Sequence, residues 1–194
     1  MKQKIASIIS GVLNPFLVCF ITIMLLVAHA TDTLSGALKW GAVAMALSVL
    51  PVLVFVLVQV RRKKLESIFP EERSPRRMIY ALASVLAAAG LWVMWYFGAP
   101  RLLEVSFLAG LLAVIVFMVI NFFWKISLHA SFVASSATVL TIIFGAKAAW
   151  MFLLLPLIGW ARVALKVHTV AQVAAGAVLA VVIVTCVFWG FGVI

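Results

Sequence analysis

The chain has 194 residues, of which 67% are hydrophobic and 10% charged, and its mean hydropathy is +1.29. Soluble domains carry far more charge, roughly a quarter of their residues. The composition therefore excludes a soluble globular protein and indicates an integral membrane protein. The formal net charge is +10. Because the cations lie in short segments at the ends of apolar runs, we expect anionic headgroups or phosphates as partners, and no nucleic acid.

The apolar runs have the length of membrane-spanning helices. A helix needs about 20 apolar residues to cross a bilayer, whereas a transmembrane barrel would show alternating segments of about ten. The sequence predicts an all-α, polytopic membrane helix bundle with about seven spans, forming one membrane domain over residues 1–194. The predicted spans cover residues 11–30, 37–60, 78–97, 102–124, 130–145, 148–164 and 170–193.

Local features refine the ends of these spans. Asn14-Pro15 predicts a kink near the start of the first span. His29 is expected in the short loop that follows, as an interfacial histidine with no chemistry. Cys19 and Cys186 lie within apolar runs, so they are expected to be small buried hydrophobes without a disulfide.

The distribution of cations predicts the orientation. With seven crossings, the N-terminus, the 61–77 loop and the turns at 125–129 and 162–168 share one side of the membrane. That side carries 12 of the 15 lysines and arginines, against 3 on the other. The positive-inside rule places the basic side in the cytoplasm. We therefore expect a multi-pass protein of the cell membrane with these segments facing the cytoplasm.

The first polar cluster on that side is the 61–77 loop. Ser74 is expected to cap the third span and Pro75 to be its first helical residue. Arg76 and Arg77 would then lie in the first helical turn, where the helix dipole disfavours cations. A bound anion would remove this penalty. The alternative, a loop that only sets the topology, stays open.

Two further clusters lie on the same side. Ser127 and His129 occupy the junction of the fourth and fifth spans, where Ser127 could also cap the fifth helix. Arg162 and His168 flank the turn between the sixth and seventh spans. Ionisable groups at a membrane boundary are costly, and two of the three histidines converge there. We therefore expect these residues to form a catalytic or ligand-binding site.

The residue types fit phosphate-ester hydrolysis. One histidine can attack phosphorus, a second can protonate the departing alkoxide, and arginines can hold the phosphoryl oxygens. The chain has five acidic residues, without a carboxylate cluster for a metal, and no phosphate-cradling glycine-rich loop or serine-hydrolase motif. The sequence therefore predicts a reaction that uses neither a metal ion nor a cofactor.

In order along the chain, these residues resemble the type 2 phosphatidic acid phosphatase superfamily of membrane lipid phosphate phosphatases. The family pattern Ser-Arg-x5-His-x3-Asp is similar to Arg162-x5-His168-x3-Gln172, with arginine and histidine kept. The family pattern Pro-Ser-Gly-His is similar to Ser127-Leu128-His129. The family pattern Lys-x6-Arg-Pro has no direct counterpart. The chain looks like a divergent, short, bacterial-type member with a family-like core at about 61–194.

The resemblance implies a phosphatase that acts on a lipid phosphate or a prenyl diphosphate through a phosphohistidine intermediate. It implies His168 as the nucleophile and His129 as the general acid. Gln172 stands where the family aspartate orients the nucleophile; its capping-box spacing with Thr169 offers a purely structural role instead. The residues implied to bind the phosphate are Arg162 and Ser127, with Lys64, Arg73, Arg76 and Arg77 as stand-ins for the first motif.

Two other functions stay open at this point. A non-catalytic relative of the family could bind or move anionic lipids. The lost aspartate and the altered first motif are changes that such a binding protein would tolerate. A membrane scaffold or subunit would use the same residues only as helix caps and topology signals. The particular lipid and the oligomeric state are not predicted.

Overall fold

The structure is a computed structural model that describes residues 1–70 and 72–194, without the side chain of Arg73. Within those residues the chain forms nine α-helices, one 3-10 helix and no strand, which confirms the all-α prediction. In chain order they are α1 (Lys2–Val12), α2 (Pro15–Ala30), α3 (Leu34–Ala46), α4 (Val49–Arg61), α5 (Arg73–Tyr96), α6 (Arg101–Phe123), α7 (Leu128–Phe144), the 3-10 helix (Gly145–Leu153), α8 (Leu154–Ala164) and α9 (Val170–Gly190).

The helices have the length and composition of a multi-pass membrane protein. Among the described residues, six stretches are long and apolar enough to cross a bilayer. The predicted count of seven is not confirmed, because the fifth and sixth predicted spans fall within one stretch. The six are Lys2–Ala30, Leu34–Arg61, Ser74–Tyr96, Arg101–Phe123, Leu128–Ala164 and Val170–Gly190.

The longest stretch, Leu128–Ala164, folds back on itself. Its 37 residues exceed the roughly 20 that one crossing needs. α7 ends at Phe144, and the next residue, Gly145, has a φ of 69° and a ψ of −158°, a conformation that suits glycine. α7 then packs against both the 3-10 helix and α8. The N–H of Ser127, just before α7, donates to the carbonyl of Gln172, in the first turn of α9, at 3.3 Å. The start of α7 therefore lies beside the first turn of α9, the helix that follows the stretch.

The predicted kink in the first span is confirmed. α1 ends at Val12, and α2 begins at Pro15 after a break at Asn14. The Asn14 side chain accepts a hydrogen bond from the N–H of Leu17 at 3.0 Å and so caps α2. Proline suits the first helical position because its missing N–H would have no partner there. His29 lies in the last turn of α2, so its placement in the following loop was wrong.

The predicted start of the third span was also wrong. α5 begins at Arg73, so Ser74 and Pro75 are its second and third residues and not its cap and first residue. Proline is tolerated there because the N–H groups of the first turn have no partner within the helix. Arg76 and Arg77 consequently occupy the fourth and fifth positions, where the dipole penalty is smaller.

The two cysteines form no disulfide within the described residues. Cys19 is partly buried, whereas Cys186 is exposed. The prediction that both are buried was wrong for Cys186. An apolar run in a membrane protein can face hydrocarbon as well as protein, and neither environment penalises a small thiol. Hydrophobicity alone therefore does not distinguish the two orientations.

The described residues cluster into two compact units. The first unit comprises Met1–Thr22 and Lys125–Ile194, and the second comprises Ile23–Trp124. In the first unit α7 is central, because it packs against both α8 and α9 and ten of its 17 residues are buried. In the second unit α5 packs along α6. The two histidines proposed for the chemistry belong to the first unit.

α7 and α9 approach closely at Gly176. A β-carbon there would lie 2.8 Å from both the carbonyl oxygen of Ser127 and the Oγ of Ser131. Gly176→Ala should therefore force the helices apart and lower the free energy of unfolding by about 1–3 kcal/mol. The matched variant Gly190→Ala, in the same helix with nothing within 4 Å, should gain up to about 1 kcal/mol. Thermal unfolding in detergent measures both; equal unfolding midpoints would contradict the close approach.

Candidate functional site

The turn after α8 holds Arg162 and His168 together. α8 ends at Ala164, and Lys166 adopts a left-handed conformation with φ of 59°. The N–H groups of Val167 and His168 both donate to the carbonyl oxygen of Arg162, each at 3.3 Å. Carbonyls in the last turn of a helix need such external donors. The C-terminal cap of α8 therefore fixes the separation between the backbones of the arginine and the histidine.

Gln172 contacts His168 and caps α9 at the same time. Its Oε1 lies 3.0 Å from His168 Nδ1 and accepts a hydrogen bond from the Thr169 N–H at 3.2 Å. The Thr169 Oγ1 accepts in return from the Gln172 N–H at 3.3 Å, which confirms the predicted capping box. Orienting the histidine and capping the helix are therefore not alternatives, because one oxygen does both.

The capping box also assigns the tautomer of His168. A backbone N–H can only donate, so the Gln172 atom that faces Thr169 must be the amide oxygen. The same oxygen can only accept, so His168 Nδ1 must carry the hydrogen. The lone pair of the neutral imidazole is then on Nε2. This is the nitrogen that a nucleophilic His168 would use.

The start of α7 lies against the first turn of α9. Ser127 is fully buried, and its Oγ accepts a long hydrogen bond of 3.5 Å from the Ala130 N–H as the cap of α7. Its own N–H donates to the Gln172 carbonyl at 3.3 Å. His129, the second residue of α7, is 2% exposed. The structure thus places the Ser127–His129 segment beside the residues that orient His168.

Arg162 is buried, with 8% of its surface exposed, and its Nη1 donates to the Oγ of Ser10 at 2.8 Å. Ser10 is in α1 and is also buried. The sequence interpretation missed Ser10. A weak signal exists in the spacing of Ala6 and Ser10, two small residues one helical turn apart, but such pairs are common and do not identify a partner 152 residues away.

Direct hydrogen bonds therefore link residues from three separate parts of the chain. Three of the four segments predicted for the basic side meet in this way within the first unit. We call the linked residues the site cluster. In the order of their contacts, they are Ser10, Arg162, His168, Gln172 and Ser127.

The cations of the first motif lie in the second unit. Lys64 is exposed in the turn after α4, and Arg73 is the first residue of α5. Arg76 is buried, with 7% exposed. Arg77 is exposed and stacks over the Phe122 ring at 4.7 Å from its centroid. That any of these four cations binds the same phosphate as Arg162 stays a prediction.

The charge of the first unit favours an anionic ligand. Its two segments contain six lysines and arginines and no aspartate or glutamate. A region of one charge sign with low-dielectric surroundings concentrates ligands of the opposite sign. Among the described residues, no group of three histidine, cysteine or acidic side chains is arranged to hold a metal ion.

An apolar groove runs beside the site cluster. It lies between α8 and α9, has a volume of about 540 Å³, and is lined by apolar side chains and Gly159. At one end its walls are Val163, the neighbour of Arg162 in the chain, and Val170, two residues after His168. The groove could therefore hold a hydrocarbon chain whose polar end reaches the turn after α8.

Comparisons of the chain with protein-family models, with curated proteins and with solved structures find no match.

Proposed function

We propose that the protein is a membrane phosphatase that hydrolyses a lipid phosphate or a prenyl diphosphate without a metal ion, as a divergent member of the type 2 phosphatidic acid phosphatase superfamily. The observation that carries this proposal is the site cluster. It holds a buried histidine by its Nδ1–H, so that Nε2 has the lone pair, next to a buried arginine.

In the first step, His168 Nε2 attacks phosphorus and forms an N–P bond, while the P–O bond to the lipid breaks. His129 donates a proton to the departing oxygen, so the product is a neutral alcohol or, from a diphosphate, the lipid monophosphate. Arg162 stabilises the charge that develops on the phosphoryl oxygens. In the second step, water attacks phosphorus, His129 takes a proton from that water, and the N–P bond breaks to release inorganic phosphate.

The surroundings of the site cluster favour a lipid substrate. At one end, the apolar groove between α8 and α9 is lined by Val163 and Val170, which flank the turn that carries Arg162 and His168 in the chain. A lipid could keep its chain in the groove or in the bilayer while its phosphate reaches the cationic turn. A soluble phosphate ester would leave the groove empty and would lose this contribution to binding.

The seven-span topology and its orientation are part of this proposal. The packing of α7 against the 3-10 helix and α8 supports two crossings within that stretch. Seven crossings put the site cluster on the side that carries 12 of the 15 lysines and arginines. The positive-inside rule then makes this the cytoplasmic face of the cell membrane.

Gln172 should affect both catalysis and stability, and a matched pair of variants separates the two. Gln172→Ala removes the contact to His168 and half of the capping box, whereas Thr169→Ala weakens the cap and leaves the contact to His168. Both should lose about 1 kcal/mol of stability. Only Gln172→Ala should also lower kcat, by about 10–100-fold, as the loss of an orienting partner does elsewhere.

Gln172→Glu extends this prediction. Glutamate has the same reach, completes the same type of capping box, and adds a negative charge beside the imidazole. We expect it to hydrolyse the substrate at least as fast as the wild-type protein. For each variant, kcat and the unfolding midpoint in detergent are measured. Equal losses of kcat in Gln172→Ala and Thr169→Ala would show that Gln172 acts only as a cap.

The function is tested by phosphate release from the purified protein in detergent with a chelator present. The substrates should include phosphatidic acid, a long-chain prenyl diphosphate and a water-soluble phosphomonoester. We expect chelator-resistant turnover of one or both lipids and much weaker turnover of the soluble ester. Tight binding of these lipids without turnover would instead support the lipid-binding alternative. If the protein neither bound nor hydrolysed any of these lipids, that result would contradict the proposal.

A further inference from the structure

The N-terminal helix α1 packs with the last part of the chain. α1 belongs to the first unit, together with Lys125–Ile194, and it contacts α8. Its buried residues are Ala6 and Ser10, which lie one turn apart and therefore on the same face. The neighbouring Ser7 is exposed. α1 thus presents one small apolar residue and one hydroxyl to the helix that carries Arg162.

The hydroxyl of Ser10 makes a specific contact with Arg162. The Nη1 of Arg162 donates to Ser10 Oγ at 2.8 Å, and both side chains are buried. A guanidinium has five N–H donors in a rigid fork, so fixing one nitrogen orients all of them. One donor is used for Ser10, and the direction of this bond restrains where the rest of the guanidinium points. An arginine stem without such an anchor has several rotamers of similar energy.

We infer that Ser10 is a positioning residue: it holds the Arg162 guanidinium in the orientation that binds the substrate phosphate, so α1 is part of the functional site. This inference rests on the proposed function. It differs from a packing role for α1, because packing requires a small residue at position 10 whereas positioning requires a hydroxyl there. Alanine satisfies the first requirement and fails the second.

The variants Ser10→Ala, Ser10→Thr and Ser7→Ala test this distinction in the full-length protein. We expect Ser10→Ala to lower kcat/KM for phosphatidic acid by about 10–100-fold, because small misplacements of a binding group cost this much. The inhibition constant for inorganic phosphate should rise in parallel, since the product contacts the same arginine. Ser10→Thr, which keeps the hydroxyl, should be within about threefold of wild type, and Ser7→Ala should be unchanged.

A double-mutant cycle shows whether Ser10 acts through Arg162. In an Arg162→Ala background, Ser10→Ala should lower phosphatidic acid binding and residual turnover by less than about twofold. A wild-type protein that neither binds nor hydrolyses lipid phosphates would contradict the proposed function. In that case, the unfolding midpoints of the same four proteins would still test the contact between Ser10 and Arg162. An active wild type that tolerates Ser10→Ala, or losses that multiply in the double variant, would overturn the positioning role.

Discussion

His168→Ala is expected to reduce the turnover of a lipid phosphate by about 10⁴-fold or more, because it removes the atom that forms the covalent bond to phosphorus. Loss of the nucleophile in other covalent hydrolases has effects of this size or larger. The rest of the site cluster is retained in this variant, since Gln172 still accepts the Thr169 N–H and caps α9. The protein should therefore fold and still bind phosphatidic acid.

His29→Ala is the matched control for this prediction. It also removes one of the three histidines, but His29 lies in the last turn of α2, within the second unit. We expect its turnover to be within about twofold of wild type, because most substitutions away from a functional site have small effects. Turnover in His168→Ala above about one hundredth of wild type would contradict a phosphohistidine mechanism at this position.

His129→Ala separates the two histidines by their roles. A general acid matters for an alkoxide leaving group and matters little for an aryl phosphate whose leaving group needs no proton. We therefore expect His129→Ala to lose about 10²–10⁴-fold with an alkyl lipid phosphate and much less with a nitrophenyl phosphate. His168→Ala should lose activity with both. Equal losses of His129→Ala on the two substrates would contradict its role as the proton donor.

Arg162→Lys is expected to lower kcat/KM by about 10²–10³-fold although it preserves the charge. Lysine is a point charge without the planar fork that binds two phosphoryl oxygens, and it cannot reproduce the geometry of the buried guanidinium. Arg162 Nη1 is held by Ser10, and its carbonyl holds the His168 N–H. The backbone contact survives the substitution, so the loss should come from the side chain alone.

Lys166→Asn is the control for Arg162→Lys. Lys166 is the exposed cation in the same turn, and its φ of 59° is a conformation that asparagine tolerates well. The variant removes one positive charge without straining the turn, and we expect kcat/KM to change by less than about threefold at physiological salt. If Lys166→Asn costs as much as Arg162→Lys, then overall positive charge binds the phosphate and Arg162 has no special role.

Much of the fold could be predicted because the relevant signals are local. Composition alone identifies a helical membrane protein, and Asn14-Pro15 predicts a break that the structure has. The Thr169–Gln172 capping box was readable from a four-residue spacing. The start of α5 was mistaken because serine before proline usually marks a helix start, whereas a first turn accepts proline at several positions.

The number of spans depends on long-range structure. The stretch Leu128–Ala164 counts once by length and composition, and its fold-back at Gly145 depends on packing of α7 against the elements that follow. Hydropathy indicates whether a segment lies in an apolar environment. It does not indicate where the chain reverses direction within that environment. The prediction of seven spans and the six stretches of the described residues differ for this reason.

The candidate site shows the same division between local and long-range signals. Arg162 and His168 could be singled out because ionisable residues are costly at a membrane boundary. Gln172 could be singled out because its spacing from Thr169 fits a capping box. The double role of the Gln172 oxygen could not be read from the sequence, because it depends on the rotamer that brings Oε1 to both Thr169 and His168. Ser10 could not be found at all, since its hydrogen bond with Arg162 spans 152 residues.

The most direct test of the proposed mechanism is to identify the phosphorylated residue during turnover. The protein would be mixed with a lipid phosphate labelled with ³²P, quenched at alkaline pH, where N–P bonds persist, and digested for mass spectrometry. We predict acid-labile phosphate on His168, present in the wild type and in Ser7→Ala and absent in His168→Ala. Turnover with no covalent phosphate under these conditions, or with label on another residue, would contradict the account.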